Sequence, residues 1–166
     1  MSLVPFDTLP DEARMWCFGA SRVLDAAEVE SVRHDMERFV EEWTAHRRDL
    51  RAGFALTHDR FLLVAVDESL TGASGCSIDA LMSQLRALGK RLDTDFLDSL
   101  PVWFRAADGS VEMVSRAEFA EDARAGRVSG ETLVFDFTAG RLADLRQGRF
   151  ETPAGVSWHR SLLNTE

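Results

Sequence analysis

The order of apolar and polar positions divides the chain into a series of short elements. Residues 15–20, "MWCFGA", are an apolar run of residue types that favour strands. Asp25 is placed to cap a helix over 26–46, along which Val29, Val32, Met36, Phe39, Val40 and Trp43 recur at helical spacing. Two further apolar stretches, 50–57 and 60–66, bracket His58 and Asp59 and predict a hairpin. The second of them is apolar at nearly every position, which suits the middle of a sheet. Ser77 is the expected cap of a second helix, in which Ile78, Leu81, Met82, Leu85, Leu88 and Leu92 repeat the spacing and Gly89 weakens the last turn. Residues 102–105, "VWFR", predict a fourth strand.

Strand, helix, strand, strand, helix, strand is the split βαβ order of ferredoxin-like folds, with both helices covering one face of the sheet. The fold class is therefore α+β. Beyond Pro101 the rhythm changes to a hairpin about Asp108 and Gly109, then a capping box formed by Ser115 and Glu118. That box opens a short helix ended by Gly126, and a strand follows over 131–137. The tail from 138 is mixed. The expected organisation is a ferredoxin-like domain over residues 1–104, with a small C-terminal extension of hairpin, helix and strand over 105–166 packed on it.

Composition narrows the function. The 166 residues carry Lys+Arg 19 against Asp+Glu 28, a net charge of -9 that repels a nucleic-acid backbone. The start of the chain has no leader pattern and no stretch is long enough to span a bilayer, so a cytoplasmic protein with neither nucleic-acid nor membrane partners is expected. Two cysteines, Cys17 and Cys76, make no disulfide framework, and the absence of tyrosine removes phenolic acid–base chemistry. "Gly89-Lys90-Arg91" is not a phosphate-binding loop, and GxGxxG, CxxC, HExxH and GxSxG are all absent. No cofactor is implied.

Cys76 is the residue that invites chemistry, because the unpaired amides of a helix start favour a thiolate. In the split βαβ order the end of the first helix and the start of the second share one end of the molecule. His46 would then act as general base toward Cys76, with Asp67 or Asp79 orienting the imidazole. A second reading makes Cys76 a small buried filler, with His46 and the arginines complementing the negative end of one helix and Asp79 the positive end of the other. A third makes the place an anion site: Ser74, Gly75 and Ser77 supply amides and hydroxyls, and Arg47 and Arg51 supply charge for a small anionic ligand. A metal held by Cys76, His46 and Asp67 lacks diagnostic ligand spacing, and none is expected. Cys17 reads as strand packing, His34 as a polar helix face, His58 as a hairpin tip, and Trp158-His159 as an anchor for the tail.

Trp43-x-x-His46, Val66-Asp67-Glu68, the run S-G-C-S-I-D from Ser74 to Asp79, and Ser157-Trp158-His159 together resemble a small, uncharacterised bacterial protein family. Its members are sometimes labelled transporter ATPases, which the missing phosphate loop contradicts, and the resemblance implies no activity. Arg47 stands where that family is expected to carry glycine. Residues 119–135 resemble the helix-turn-strand part of GYF-type peptide-binding modules, without their recognisable aromatic platform. Two functional classes follow: a small-molecule enzyme or redox protein using Cys76 with His46, and a noncatalytic anion- or protein-binding module.

Overall fold

The computed structural model describes residues 2–164; Met1 and the last two residues of the mixed tail lie outside the described residues. The chain forms two compact units. The first runs to Asp98 and takes in Gly140–Ala143; the second comprises Ser99–Ala139 and the chain from Asp144 onward.

In the first unit, β1 (Arg14–Gly19), α1 (Ala26–Glu41), the small hairpin β2 (Thr44–Ala45) and β3 (Arg48–Asp49), β4 (Arg51–Thr57), β5 (Phe61–Asp67) and α2 (Gly75–Leu92) follow in order. The sheet order is β1-β5-β4, with β5 antiparallel to both neighbours, so Leu63 stands between Cys17 and Ala55. All seven residues of β5 are buried, as a central strand requires. Leu62, Val64 and Val66 point to the face that receives Val32, Met36 and Val40 of α1 and Leu81, Leu85 and Leu88 of α2. The three-strand part of the expected arrangement is thus present, with both helices on one face.

The fourth strand is not. Val102–Arg105 joins the sheet of the second unit, so among the described residues no four-stranded ferredoxin-like sheet forms, and the units divide at Ser99 instead of after residue 104. Beside β1, a short return of chain takes the edge: Met15 N–H donates to the Gly140 carbonyl (2.9 Å) and Leu142 N–H to that of Ala13 (3.0 Å). At the opposite edge Val4 N–H donates to the Ala52 carbonyl (2.8 Å) and Ala52 N–H to that of Ser2 (2.9 Å). Gly53 admits this crossing, since a Cβ there would stand 2.6 Å from the Val4 carbonyl oxygen. Both edges are covered by brief single bridges, which blunts strand addition.

Helix ends carry the remaining corrections. Asp25 caps α1 through a capping box with Glu28, but the helix ends at Glu41 and not at 46. Trp43 N–H still reaches the Val40 carbonyl (3.2 Å), so Trp43 keeps its core position while the chain turns into the β2–β3 hairpin. The cap of α2 is Ser74, not Ser77: Ser77 N–H donates to Ser74 Oγ (3.2 Å) and Ser74 N–H to Ser77 Oγ (2.7 Å), a reciprocal pair. Gly89 is not a mere weak point, for a Cβ there would meet the Thr94 carbonyl oxygen at 2.6 Å as the chain folds back over the helix end.

In the second unit, β6 (Val102–Arg105), β7 (Val111–Val114), α3 (Arg116–Arg124), β8 (Leu133–Phe135), α4 (Leu142–Arg146, begun in the first unit), β9 (Glu151–Pro153) and α5 (Arg160–Leu163) follow. The antiparallel sheet has the order β7-β6-β8-β9. The expected β6–β7 hairpin turns at Gly109, φ 86°, and Ser115 and Glu118 form the expected capping box. Gly126, φ 75°, closes α3: its N–H donates to the Ala123 carbonyl (3.1 Å) and Arg127 N–H to that of Asp122 (2.8 Å). Val102, Phe104, Phe119 and Val134 form the core, and Trp158 packs against it.

Candidate functional site

The candidate site of the first unit is assembled around Trp43. Its indole N–H donates to the Ser77 carbonyl in the first turn of α2 (2.8 Å), and its own carbonyl accepts from Ser2 Oγ–H (3.0 Å) and Leu50 N–H (3.1 Å). Phe39 and Trp16 pack on the ring with centroids at 5.4 and 6.3 Å. The segment after α1 is thereby fastened to the start of α2. An open cleft of about 410 Å³ lies over this joint, and His46, Ser74, Cys76 and Ser77 line it together with Trp43 and Glu42. Cys76 is exposed, the second residue of the helix, so the reading of it as a buried filler is wrong.

His46 reaches the cleft from an unusual backbone. It and Arg47 are the two turn residues between the paired Ala45 and Arg48, with φ of 52° and 65°. Such left-handed pairs are the tight hairpin turns that favour Asn and Gly, and side chains bear a steric cost there.

The other expected site residues lie elsewhere. Asp67 does not orient His46: its Oδ2 accepts from Arg51 (2.8 Å) and its Oδ1 from Ser69 N–H (3.0 Å), chiefly the contacts with Ser69 and then Arg51 that hold its carboxyl below the ordinary range. Asp67 and Arg51 line a separate cleft with Glu12 and Glu68. Asp79 is exposed, beyond the first turn of α2, and not on the cleft wall. Arg47 and Gly75 are exposed and also off that wall. The anion reading therefore loses both arginines, and one helix amide, that of Ser77, already donates to Ser74 Oγ. Among the described residues, no group of three or more His, Cys, Asp or Glu is arranged to hold a metal ion.

The second unit holds a site that periodicity did not indicate. His159 is 1% exposed, stacked on Trp158 with centroids 3.9 Å apart. Ser157 Oγ accepts from His159 N–H (3.3 Å) and lies within hydrogen-bond distance of both the Ala154 carbonyl (3.2 Å) and His159 Nδ1 (2.8 Å). Burial pushes the imidazole down to about 4; Asp136 opposes the shift and Arg116 adds to it. The signal in the sequence was the Ser-Trp-His string, read as a tail anchor and as a motif of the family resemblance.

Compared with protein-family models, with curated proteins and with solved structures, the chain matches none. Among the described residues no helix is long and apolar enough to cross a membrane.

Proposed function

We propose that the first unit is a nucleophilic-thiol site acting on a small electrophilic molecule, with Cys76 as nucleophile and His46 as the base that takes its proton. One observation carries this reading: an exposed thiol in the first turn of an 18-residue helix shares a cleft with a histidine 30 positions away. Negative charge developing on Sγ lies at the amide end of α2, where it is favoured by the helix dipole. The Sγ–H bond breaks toward the imidazole nitrogen while the sulfur forms a bond to the electrophilic carbon, and His46 returns the proton to the leaving group. Glu42, not Asp67 or Asp79, is the carboxylate on the same cleft. The family resemblance is part of the proposal, since Trp43 and His46 of W-x-x-H and Ser74, Cys76 and Ser77 of S-G-C-S-I-D line one cleft.

Peptide mapping after brief iodoacetamide treatment at neutral pH tests it. Cys76 should be alkylated more than about tenfold faster than a free thiol, with His46→Gln returning the rate to that of a free thiol. Cys17, half-buried in β1, is the internal reference. A Cys76 rate no greater than that of a free thiol, or one indifferent to His46, removes the reading.

A further inference from the structure

The cleft over Cys76 does not end at the first turn of α2. A second cleft, of about 320 Å³, lies along the seam between α1 and α2, and the two share Phe39 and Glu42 on their walls. Cys76 and Ala80 on the first cleft and Gln84 and Arg91 on the second follow one another at helical spacing, so one face of α2 runs through both. The charges on the second wall are of two kinds. Asp35 and Arg91 are closed on each other, and Arg91 also donates to Ser31 Oγ (2.8 Å). Arg38 and Glu42 are exposed, opposite in charge and one turn apart at the end of α1, and among the described residues neither forms an ion pair. Helix stability does not account for Glu42: a carboxylate at a helix C-terminus opposes the macrodipole, and Arg before Glu is the weaker order of a pair at this spacing.

Building on the thiol reading above, we infer that the joined clefts select an α-amino acid whose side chain carries the electrophile: Glu42 takes the ammonium, Arg38 takes the carboxylate, and Cys76 meets the end of the side chain. From Cys76 to Ala80 along α2 is about 6 Å, a distance that a side chain of two or three carbons covers. Sγ forms its bond to the electrophilic atom as the leaving group departs with the bonding pair, and His46 returns the proton to that group. An amine engages one of the two wall charges and a carboxylic acid the other, whereas the zwitterion satisfies both.

Three disulfides of equal reach test the head group: L-homocystine carries both charges, homocystamine the ammonium alone, and 4,4′-dithiodibutyrate the carboxylate alone. In each reaction Cys76 Sγ attacks one sulfur, forms the mixed disulfide and expels the other half as a thiolate. Rates are read by intact-mass spectrometry on the full-length protein, with Cys76→Ser reporting any reaction at Cys17, and each is divided by the rate of 2-mercaptoethanol with the same reagent. On that scale L-homocystine should react about tenfold faster than either single-charge reagent, the value of one charge-assisted contact. Arg38→Gln should abolish its advantage over homocystamine, and Glu42→Gln its advantage over 4,4′-dithiodibutyrate. Equal normalised rates for the three reagents, or a preference unchanged in either variant, would overturn the amino-acid assignment while fast iodoacetamide labelling leaves the thiol reading standing. Slow iodoacetamide labelling removes the thiol reading instead, and the ratios still report on the head group because each is taken within one protein.

Discussion

The buried His159 makes stability depend on pH with a sign and size that follow from its surroundings. Burial lowers the imidazole from its ordinary 6.5 to about 4, so the folded chain stays neutral where the unfolded chain takes up a proton. The unfolded state therefore binds more protons between these values, and stability falls as the pH is lowered through that window. Above about pH 6.5 the contribution is fully present, and below the folded value the slope from this group vanishes. A fall from 6.5 to about 4, at ~1.4 kcal/mol per pH unit, amounts to about 3 kcal/mol. Against a total stability of roughly 5–15 kcal/mol, that loss is easily measured. Urea unfolding from about pH 7.5 to about pH 4.5, compared with His159→Phe, isolates the group because the carboxylates are common to both proteins. The parent should lose about 3 kcal/mol more than the variant across this range. Direct NMR titration of the His159 ring should show no protonation near 6.5, and Arg116→Gln should move its midpoint upward by removing a neighbouring cation. A ring that titrates at its ordinary value, or identical slopes in the two proteins, would refute the argument from burial.

Three substitutions in the first unit test the local geometry. Gly89→Ala should destabilise by about 1–3 kcal/mol in thermal unfolding, although helix propensity alone favours alanine by ~1 kcal/mol, because the new Cβ faces a backbone oxygen at 2.6 Å. Ser74→Ala should cost about 1 kcal/mol and speed hydrogen exchange at the Ser77 amide, which loses its acceptor; unchanged exchange would place the cap elsewhere. Arg47→Gly should raise stability by about 0.5–1 kcal/mol by relieving a side chain at φ 65°, and a loss in urea unfolding would contradict the turn.

Elements were more legible than their partners. The unbroken apolar run over 60–66 identified a strand buried on both faces, and helical spacing along Leu81, Leu85 and Leu88 identified a buried helix face, because burial acts on each side chain where it stands. "VWFR" was readable as a strand but not as a member of one sheet or another, since apolar strands carry no mark of the neighbour they pair with. The edge it was expected to occupy beside β1 is filled by Gly140 and Leu142, more than 120 residues along the chain and without strand pattern. The cap of α2 was ambiguous for another reason: in Ser74-Gly75-Cys76-Ser77 either serine can cap, and the choice rests on a reciprocal hydroxyl–amide pair and on Trp43 reaching the Ser77 carbonyl. The aromatic surroundings of His159 were illegible because Trp103, Phe137 and Trp158 come together only through tertiary packing.

The error over the end of α1 bears directly on the chemistry. Had the helix run on to residue 46 as its spacing suggests, His46 would follow Trp43 by one turn on a regular helix and the hairpin would not exist. Instead the helix stops at Glu41, Trp43 is fixed by the Ser77 carbonyl, and two left-handed residues reverse the chain within two positions. Left-handed conformations at ordinary side chains persist only where surrounding contacts hold them, and such positions concentrate at sites of function. Here the contacts are the β2–β3 pairing on one side and the Trp43 anchor on the other. The same indole that follows the end of the helix also holds the first turn carrying Cys76, so the segments bearing His46 and Cys76 meet at one shared joint. Breaking that joint with Trp43→Phe, which keeps an aromatic ring but removes the indole donor to the Ser77 carbonyl, should therefore slow Cys76 alkylation and destabilise the unit together, by about 1–3 kcal/mol. A variant that loses stability while keeping the parent's alkylation rate would separate the fold of the hairpin from the chemistry assigned to it.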